Sequence, residues 1–439
     1  MKKSSFVNDY TSAEGKYYLF HTRYGNVVSV DEGKKERLRE ILNNPDGYAS
    51  LPGMKTLREF GFVLPDEIDE YQQIVGRQIW KQLCKNNYLE LTLMPTEQCN
   101  FRCVYCYENF QKPAMSEFTQ DAIVRFTRQH LTNRKGLVVN WFGGEPLVAM
   151  DVVRSLSQRL IALCREMKKP YTASMTTNGY LLNLETFEEL QGLKVNHFQI
   201  TIDGNRETHN KQRVLRGGQP TYDRILDNLN DIRLHARSRL WSITLRTNVT
   251  KRVIWHKEDF QREILIPFGG DRRFSVMLRQ MWTNSTEEAD AILCTNKEFN
   301  TFVEECDVDQ ESLYQEYNFA YDLNFICYAS SPNSFVFGAD GTVYKCTLAL
   351  YDAINQVGQV NEKGTVEFDE ERLFYWIAPR AGSVDECRDC PNGGACASRC
   401  CPLKQDKHPC ESRNMEMLRP YIPKFYQIAK QAADLTTEL

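Results

Sequence analysis

Between about Tyr88 and Met281 the chain repeats one pattern, a short apolar run rich in β-branched, aromatic and leucine residues followed by a longer stretch with apolar positions at helical spacing. The short runs are Leu89–Thr96, Leu137–Phe142, Tyr171–Thr176, His197–Ile202, Trp241–Val249 and Phe274–Met281. Between most of them the spacing predicts helices over Phe118–Leu131, Val152–Met167, Leu184–Leu190 and Tyr222–Ala236. Strands alternating with helices predict a parallel α/β sheet. In α/β barrels the C-terminal ends of the strands carry the site, so the segments after each run are where chemistry is expected.

Before this region the periodicity is different. Lys16-Tyr-Tyr-Leu-Phe20 and Asn26-Val-Val-Ser-Val30 flank Thr22-Arg-Tyr-Gly25, a hairpin pattern. Asp31 stands at an N-cap position, and Leu38, Ile41 and Leu42 fall on one face of a helix that Asn44-Pro-Asp-Gly47 ends. A second helix over about Gly53–Glu59 and a strand over Gly61–Pro65 complete a winged-helix-like module. Neither helix carries a sustained basic stripe, so a peptide is a better partner for it than nucleic acid. A plain N-terminal cap on the next domain is the other reading.

Composition narrows the class. The chain has 439 residues, 42% of them apolar, and a formal charge of −4, which gives no footprint for nucleic acid. No apolar run approaches the roughly 18 residues of a membrane span, and Met1-Lys-Lys-Ser-Ser-Phe lacks a secretory apolar core, so a cytoplasmic protein without a membrane partner is expected. Fifteen cysteines are too many to be incidental in a reducing compartment. Cys84, Cys164, Cys294 and Cys306 are scattered and read as buried thiols. The remainder cluster, which favours metal or cluster ligation.

The sharpest cluster is Cys99-Asn-Phe-Arg-Cys103-Val-Tyr-Cys106, directly after the first apolar run. Three soft thiolates on a short loop suit one face of a cubane iron–sulfur cluster and leave one iron open. Zinc usually takes four ligands, and no fourth stands nearby. The spacing, with aromatic Tyr105 before the last cysteine, resembles the signature of the radical S-adenosylmethionine (SAM) enzymes. That resemblance implies a [4Fe-4S] cluster on Cys99, Cys103 and Cys106 whose open iron chelates SAM. It also implies a partial (β/α)6 barrel over about 85–315.

Later strand ends carry further pieces of this resemblance. Gly143-Gly144-Glu145-Pro146 follows the second run and resembles the family's GGEP motif, which holds the SAM amino group. Its glycines let backbone approach a ligand closely, and its glutamate offers a carboxylate to an ammonium. Asn178 follows the third run, and Thr201 and Asp203 the fourth, with His209 and Arg213 beyond; Arg246 and Asn248 lie on the fifth. The resemblance makes Tyr105, Asn178, Thr201, Asp203, Arg213 and Asn248 candidate SAM-binding residues. Loop capping and ion pairing are the alternatives for each.

A second constellation fills the region 316–412. Ser334-Phe-Val-Phe337 and Thr342-Val-Tyr-Lys345 flank Gly338-Ala-Asp-Gly341, a hairpin that would carry Cys346. With Cys327, Cys387, Cys390, Cys396, Cys400 and Cys410 it exceeds one zinc site, although zinc remains an option for the Cys387–Cys410 group. The spacing resembles the SPASM domain, which houses two auxiliary clusters. By motif position Cys387, Cys390, Cys396 and Cys410 would ligate the outer cluster, and Cys327, Cys346 and Cys400 the inner one. Fully ligated relatives have a further cysteine where this chain has Tyr321, so the inner cluster would have an open iron or recruit Cys401 or Cys306. Residues 413–439 are expected to form a helical tail.

Together these resemblances imply a peptide maturase of ribosomally synthesised, post-translationally modified peptides, with residues 1–80 holding a precursor's leader by strand addition. A 5′-deoxyadenosyl radical would abstract hydrogen from the precursor, and auxiliary clusters would accept an electron as a thioether or carbon–carbon crosslink closes. An external one-electron donor such as flavodoxin or ferredoxin is implied. A sulfatase-maturating, formylglycine-generating enzyme is the nearest alternative, but such enzymes place an aspartate after the cysteine matching Cys346, where this chain has Thr347. A non-catalytic iron–sulfur carrier is the alternative of another class, and the GGEP segment disfavours it.

Overall fold

The computed structural model describes residues 1–80, 87–281, 291–306, 327–377, 390–391, 426, 429 and 431–439. The chain forms two compact units, one joining Met1–Lys85, Tyr314–Cys327 and Ala378–Leu439, the other joining Asn86–Leu313 with Tyr328–Ile377.

In the first unit, β1 (Lys2–Lys3) is followed by β2 (Val7–Thr11), β3 (Lys16–His21) and β4 (Val27–Asp31), the last three forming an antiparallel sheet. Strand β2 was not foreseen, because Val-Asn-Asp-Tyr-Thr has neither an apolar run nor clear alternation. Helices α1 (Lys35–Asn43) and α2 (Pro52–Glu59) then pack Leu38, Ile41, Leu42, Met54 and Leu57 against Val28 and Val30. Burying side chains of this size contributes about 1.5–3 kcal/mol each. Asp31 precedes a single 3-10 turn, but its carboxylate makes no capping bond and instead meets Lys16 Nζ at 2.9 Å. The expected wing is the short β5 (Val63–Leu64), which pairs with β1, and α3 (Glu70–Trp80) follows.

The second unit is built on the six expected strands: β6 (Leu89–Leu93), β8 (Leu137–Trp141), β9 (Tyr171–Thr177), β10 (Val195–Thr201), β12 (Ser242–Val249) and β13 (Phe274–Gln280). Each pairs in parallel with the next. Helices α4 (Glu117–Leu131), α5 (Met150–Glu166), α6 (Leu184–Gly192) and α8 (Tyr222–His235) stand where the helical spacing put them. Leu89, Leu91 and Leu93, alternate residues of β6 on one face of the sheet, are all buried.

Two additions extend this frame. Strands β7 (Phe101–Cys103) and β11 (Arg213–Leu215) form a two-stranded antiparallel ladder, with helix α7 (Arg206–Gln212) leading into β11. The hairpin expected around Gly341 is β14 (Ser334–Phe337) with β15 (Thr342–Tyr344), continued by β16 (Gln356–Val360) and β17 (Val366–Phe368). Strand β14 pairs in parallel with β6, so one ten-stranded sheet runs from β13 to β17. The hairpin assigned by sequence to a domain over 316–412 is thus part of the central sheet.

At the far end of the chain β18 (Ala432–Asp434) lies parallel to β4 in the first unit. Most of the expected 413–439 helical tail falls outside the described residues; within it Ala432–Asp434 form a strand and the residues after it a turn. No helix among the described residues is long and apolar enough to cross a membrane.

Candidate active site

The cysteine loop leaves the C-terminal end of β6 and is fixed by backbone. Thr96 Oγ1 caps the Gln98 amide at 2.9 Å, Cys106 N reaches Cys103 O at 3.1 Å, and Val104 N reaches Gln212 O at 3.0 Å. The β7–β11 ladder sets Cys103 opposite Arg213. Cys99, Cys103 and Cys106 are each half-buried and unbonded to one another. Burial pushes the Cys99 and Cys106 thiols up to about 12 and raises Cys103 as well. Bare thiols here stay protonated, so ionisation needs a strong cation at the loop.

Gly143 and Gly144 back this loop. Gly143 adopts φ +112°, and a Cβ on it would stand 2.6 Å from Thr96 O; a Cβ on Gly144 would stand 2.3 Å from Glu97 O. Only glycine permits that approach. Glu145 is buried, and its carboxylate accepts from Leu147 N (3.0 Å), Thr177 Oγ1 (2.7 Å) and Asn178 N (2.7 Å). Both oxygens therefore bind the protein, and the residue ties the turn that Pro146 opens to the end of β9. Asn178, positioned by Glu145, directs Nδ2 to Asn100 Oδ1 at 2.7 Å and to Cys99 Sγ at 3.9 Å.

Four candidates meet at one hydroxyl. Tyr105 OH accepts from Arg213 Nη1 at 2.8 Å and from Asn248 Nδ2 at 3.1 Å, and donates to Asp203 Oδ2. Asn248 N also donates to Asp203 Oδ1 at 2.9 Å. Asp203 is fully buried, which raises its carboxyl, while the Arg213 guanidinium opposes that shift. His209 is fully buried, held below its ordinary range by desolvation, and receives the Asp203 amide at 3.2 Å. Thr201 ends β10 beside Arg246, without a hydrogen-bond role in this cluster.

Reasoning from sequence passed over Asn100, Gln212 and Glu108. Asn100 Nδ2, both amide atoms of Gln212 and Arg213 Nε are buried with no hydrogen-bond partner. Glu108 Oε2 is likewise unpaired, and burial, aided by the Glu97 charge, pushes this carboxyl up to about 8. Two residues after Cys106, an acidic side chain in an apolar and aromatic setting was the one available signal.

The second cysteine group is only partly described. Cys346 is buried on a loop organised by Asn355, which accepts from Lys345 N (3.1 Å) and Cys346 N (2.8 Å) and donates to Cys346 O (2.7 Å) and Ala349 O (3.0 Å). Thr347 Oγ1 shares a 2.8 Å hydrogen bond with Tyr328 OH. Cys327 and Cys390 are half-buried thiols, and Cys306 is buried. Cys387, Cys396, Cys400, Cys401, Cys410 and Tyr321 lie outside the described residues.

A parallel α/β partial barrel whose first strand opens into a three-thiol loop, backed by paired glycines, defines the class of the central unit. Residues 93–249 match the Radical SAM superfamily, and this stretch is a radical SAM domain. The radical SAM cyclopropyl synthase TigE of Paramaledivibacter caminithermalis is 24% identical over 223 residues, 44% of this chain and 47% of that protein. A GTP 3′,8-cyclase of a Cyanothece species is 33% identical over 121 residues, 27% of this chain and 34% of that protein. The chain spans about half the length, or less, of these curated relatives. Among solved structures, native anSMEcpe with bound AdoMet and Cp18Cys peptide superposes with a TM-score of 0.60 at 17% identity, covering 78% of this chain and 98% of that one, a likeness of fold.

The superfamily implies an iron–sulfur cluster and SAM, and the residues fit both. Among the described residues no three Cys, His, Asp or Glu side chains converge closely enough for a single metal ion. Cys99, Cys103 and Cys106 supply three thiols from one short loop, a donor set of the kind an iron–sulfur cluster takes. Around them Asn100, Gln212 and Arg213 leave buried donors and acceptors open, as a polar ligand would need.

Proposed function

We propose that the chain is a radical SAM peptide-modifying enzyme that forms a thioether or carbon–carbon crosslink in a ribosomal precursor peptide. The observation that carries this reading is the half-buried Cys99–Cys106 loop at the mouth of β6, surrounded by unpaired buried polar atoms and joined through one sheet to the loop of Cys346. Cys99, Cys103 and Cys106 would hold the first cluster. Gly143 and Gly144 keep the loop against the barrel, Glu145 fixes Asn178 beside Cys99, and Asp203, Arg213 and Asn248 hold Tyr105 in place.

When bound, the cluster and SAM supply one-electron chemistry that yields a hydrogen-abstracting carbon radical. The protein's residues orient, bury and exclude water. Cys346, with Cys327, Cys387, Cys390, Cys396, Cys400 and Cys410, would hold auxiliary clusters that accept the electron released on ring closure. The sheet of the first unit would receive the precursor's leader, and a flavodoxin or ferredoxin would supply electrons.

Formylglycine formation is disfavoured by Thr347, whose hydroxyl is held by Tyr328 and is a poor base. Anaerobic reconstitution with iron, sulfide, SAM and dithionite tests the chemistry; absence of 5′-deoxyadenosine ends every radical SAM reading. Co-expression with the neighbouring small open reading frame, followed by mass spectrometry, tests the product, which should lose two hydrogens per crosslink.

A further inference from the structure

In the first unit the β4 edge of the sheet is already paired by the chain itself, in the order β18-β4-β3-β2. Strand β18 pairs in parallel with β4, setting Ala432, Ala433 and Asp434 opposite Val27, Val28 and Ser29. Val27 N donates to Gln431 O at 3.0 Å, Leu435 N to Ser29 O at 2.8 Å and Asp31 N to Thr436 Oγ1 at 3.0 Å. The whole of β4 is thereby engaged. This is the geometry of a peptide bound by strand addition.

The side chains repeat that logic. Lys16 Nζ bonds Asp434 and also Asp31, and Lys34 Nζ bonds Thr436 O. Leu435 is fully buried in the apolar cluster that contains Val28, Val30, Leu38 and Leu57. Gly53 N donates to Glu438 O at 3.4 Å, and a Cβ on Gly53 would come within 2.7 Å of Leu439 Cδ2. The module is shaped around an acid followed by a leucine.

The same contacts are shallow. The ladder is three residues long, two of them alanine, and Ala432 and Asp434 are exposed. Exposed ion pairs hold little, so the buried side chain of Leu435 is the main apolar anchor. A segment tethered to its own site acts as a ligand at high effective concentration, and a free peptide binds only in proportion to the fraction of time the edge is vacated.

We propose that residues 431–439 are a displaceable strand that masks the β4 edge until an extended peptide of like chemistry, with an acidic residue followed by leucine, takes its place. The inference rests on the reading of the first unit as a peptide-binding module. It makes the β4 edge of that module self-occluded at rest, and it names the residue pattern a peptide bound there must present.

The test uses a fluorescein-labelled nonapeptide of residues 431–439, titrated by polarisation into the intact protein and into the chain shortened to residues 1–430. The shortened chain should bind at least about tenfold more tightly, and reversing the aspartate to lysine in the peptide should weaken binding by about the same factor. Equal affinity for the two chains overturns the proposal, as does no binding by a shortened chain that still melts cooperatively. Leu435 is part of the core, so the second arm keeps the full chain. Leu435→Ala should speed amide exchange across Val27–Asp31 by about tenfold while the rest of the module keeps its protection. Unchanged exchange, or loss of protection throughout the module, shows a fixed structural strand and overturns it. Neither arm needs SAM or turnover, so 5′-deoxyadenosine formation reports on the enzymatic reading separately.

Discussion

Arg213 Nη1 lies 2.8 Å from the hydroxyl of Tyr105, so a cation brought in by β11 is tied to the aromatic side chain of the cysteine loop. Asp203 and Asn248 close the cluster around that same oxygen. Tyr105→Phe removes one donor and acceptor and leaves three partners facing a void. Such a change costs about 1–3 kcal/mol. The denaturation midpoint of the protein without cofactors should fall accordingly, and SAM affinity by equilibrium dialysis should fall with it.

Gly144→Ala should cost the cluster before it costs the fold. The added methyl would meet two backbone carbonyls, Glu97 O at 2.3 Å and Gln98 O at 2.6 Å, which cannot rotate away. The loop bearing Cys99 must shift, and iron retained after anaerobic reconstitution should drop to well under half. Gly76→Ala is the control. Nothing lies within 4 Å of its Cβ position in α3, and iron content should not change.

Asn355→Ala would strip partners from the Lys345 and Cys346 amides and from two carbonyls. A loss of about 3 kcal/mol is expected from that many buried groups. The local sign would be faster labelling of Cys346 by a thiol reagent under native conditions. Asn355→Asp keeps the acceptor and should give a smaller effect on both measurements.

His21 gives the first unit an acid-sensitive point. Desolvation, aided by the Arg23 charge, pushes its imidazole down to about 3. An unfolded histidine titrates near 6.5, so the unfolded chain takes up a proton that the folded module refuses. Stability from this residue is complete above pH 6.5 and falls as pH drops, by up to about 1.4 kcal/mol per pH unit. His21→Gln should flatten the fall in melting temperature between pH 7 and pH 5 relative to the parent.

The barrel strands were legible in the sequence because short stretches carry buried residues at alternate positions, the period of a strand. The helices between them carry their apolar positions on one stripe, and all ten of these elements stand within a few residues of where periodicity put them. The β7–β11 ladder escaped notice because a three-residue strand has no periodicity to read. Glu145 shows a different limit. A motif locates a carboxylate but not its partners, and here Thr177 and Asn178, distant in sequence, take it up. The expected tail helix failed at Ala432–Asp434 because the unpaired edge of β4 outweighs the helical propensity of alanine.

The parallel pairing of β14 with β6 turns the central sheet into a ruler. Phe337 is opposite Leu93, so the strand that launches Cys99 and the hairpin that carries Cys346 share one ladder of hydrogen bonds. A slip of one residue would move one thiol loop past the other by about 3.3 Å and turn every side chain of β14 to the wrong face. Electron transfer weakens steeply with distance. The spacing between the two cysteine loops is therefore tied to backbone register, and if both loops hold clusters as proposed, substitutions in β14 that loosen that register should slow electron passage without touching a single cysteine.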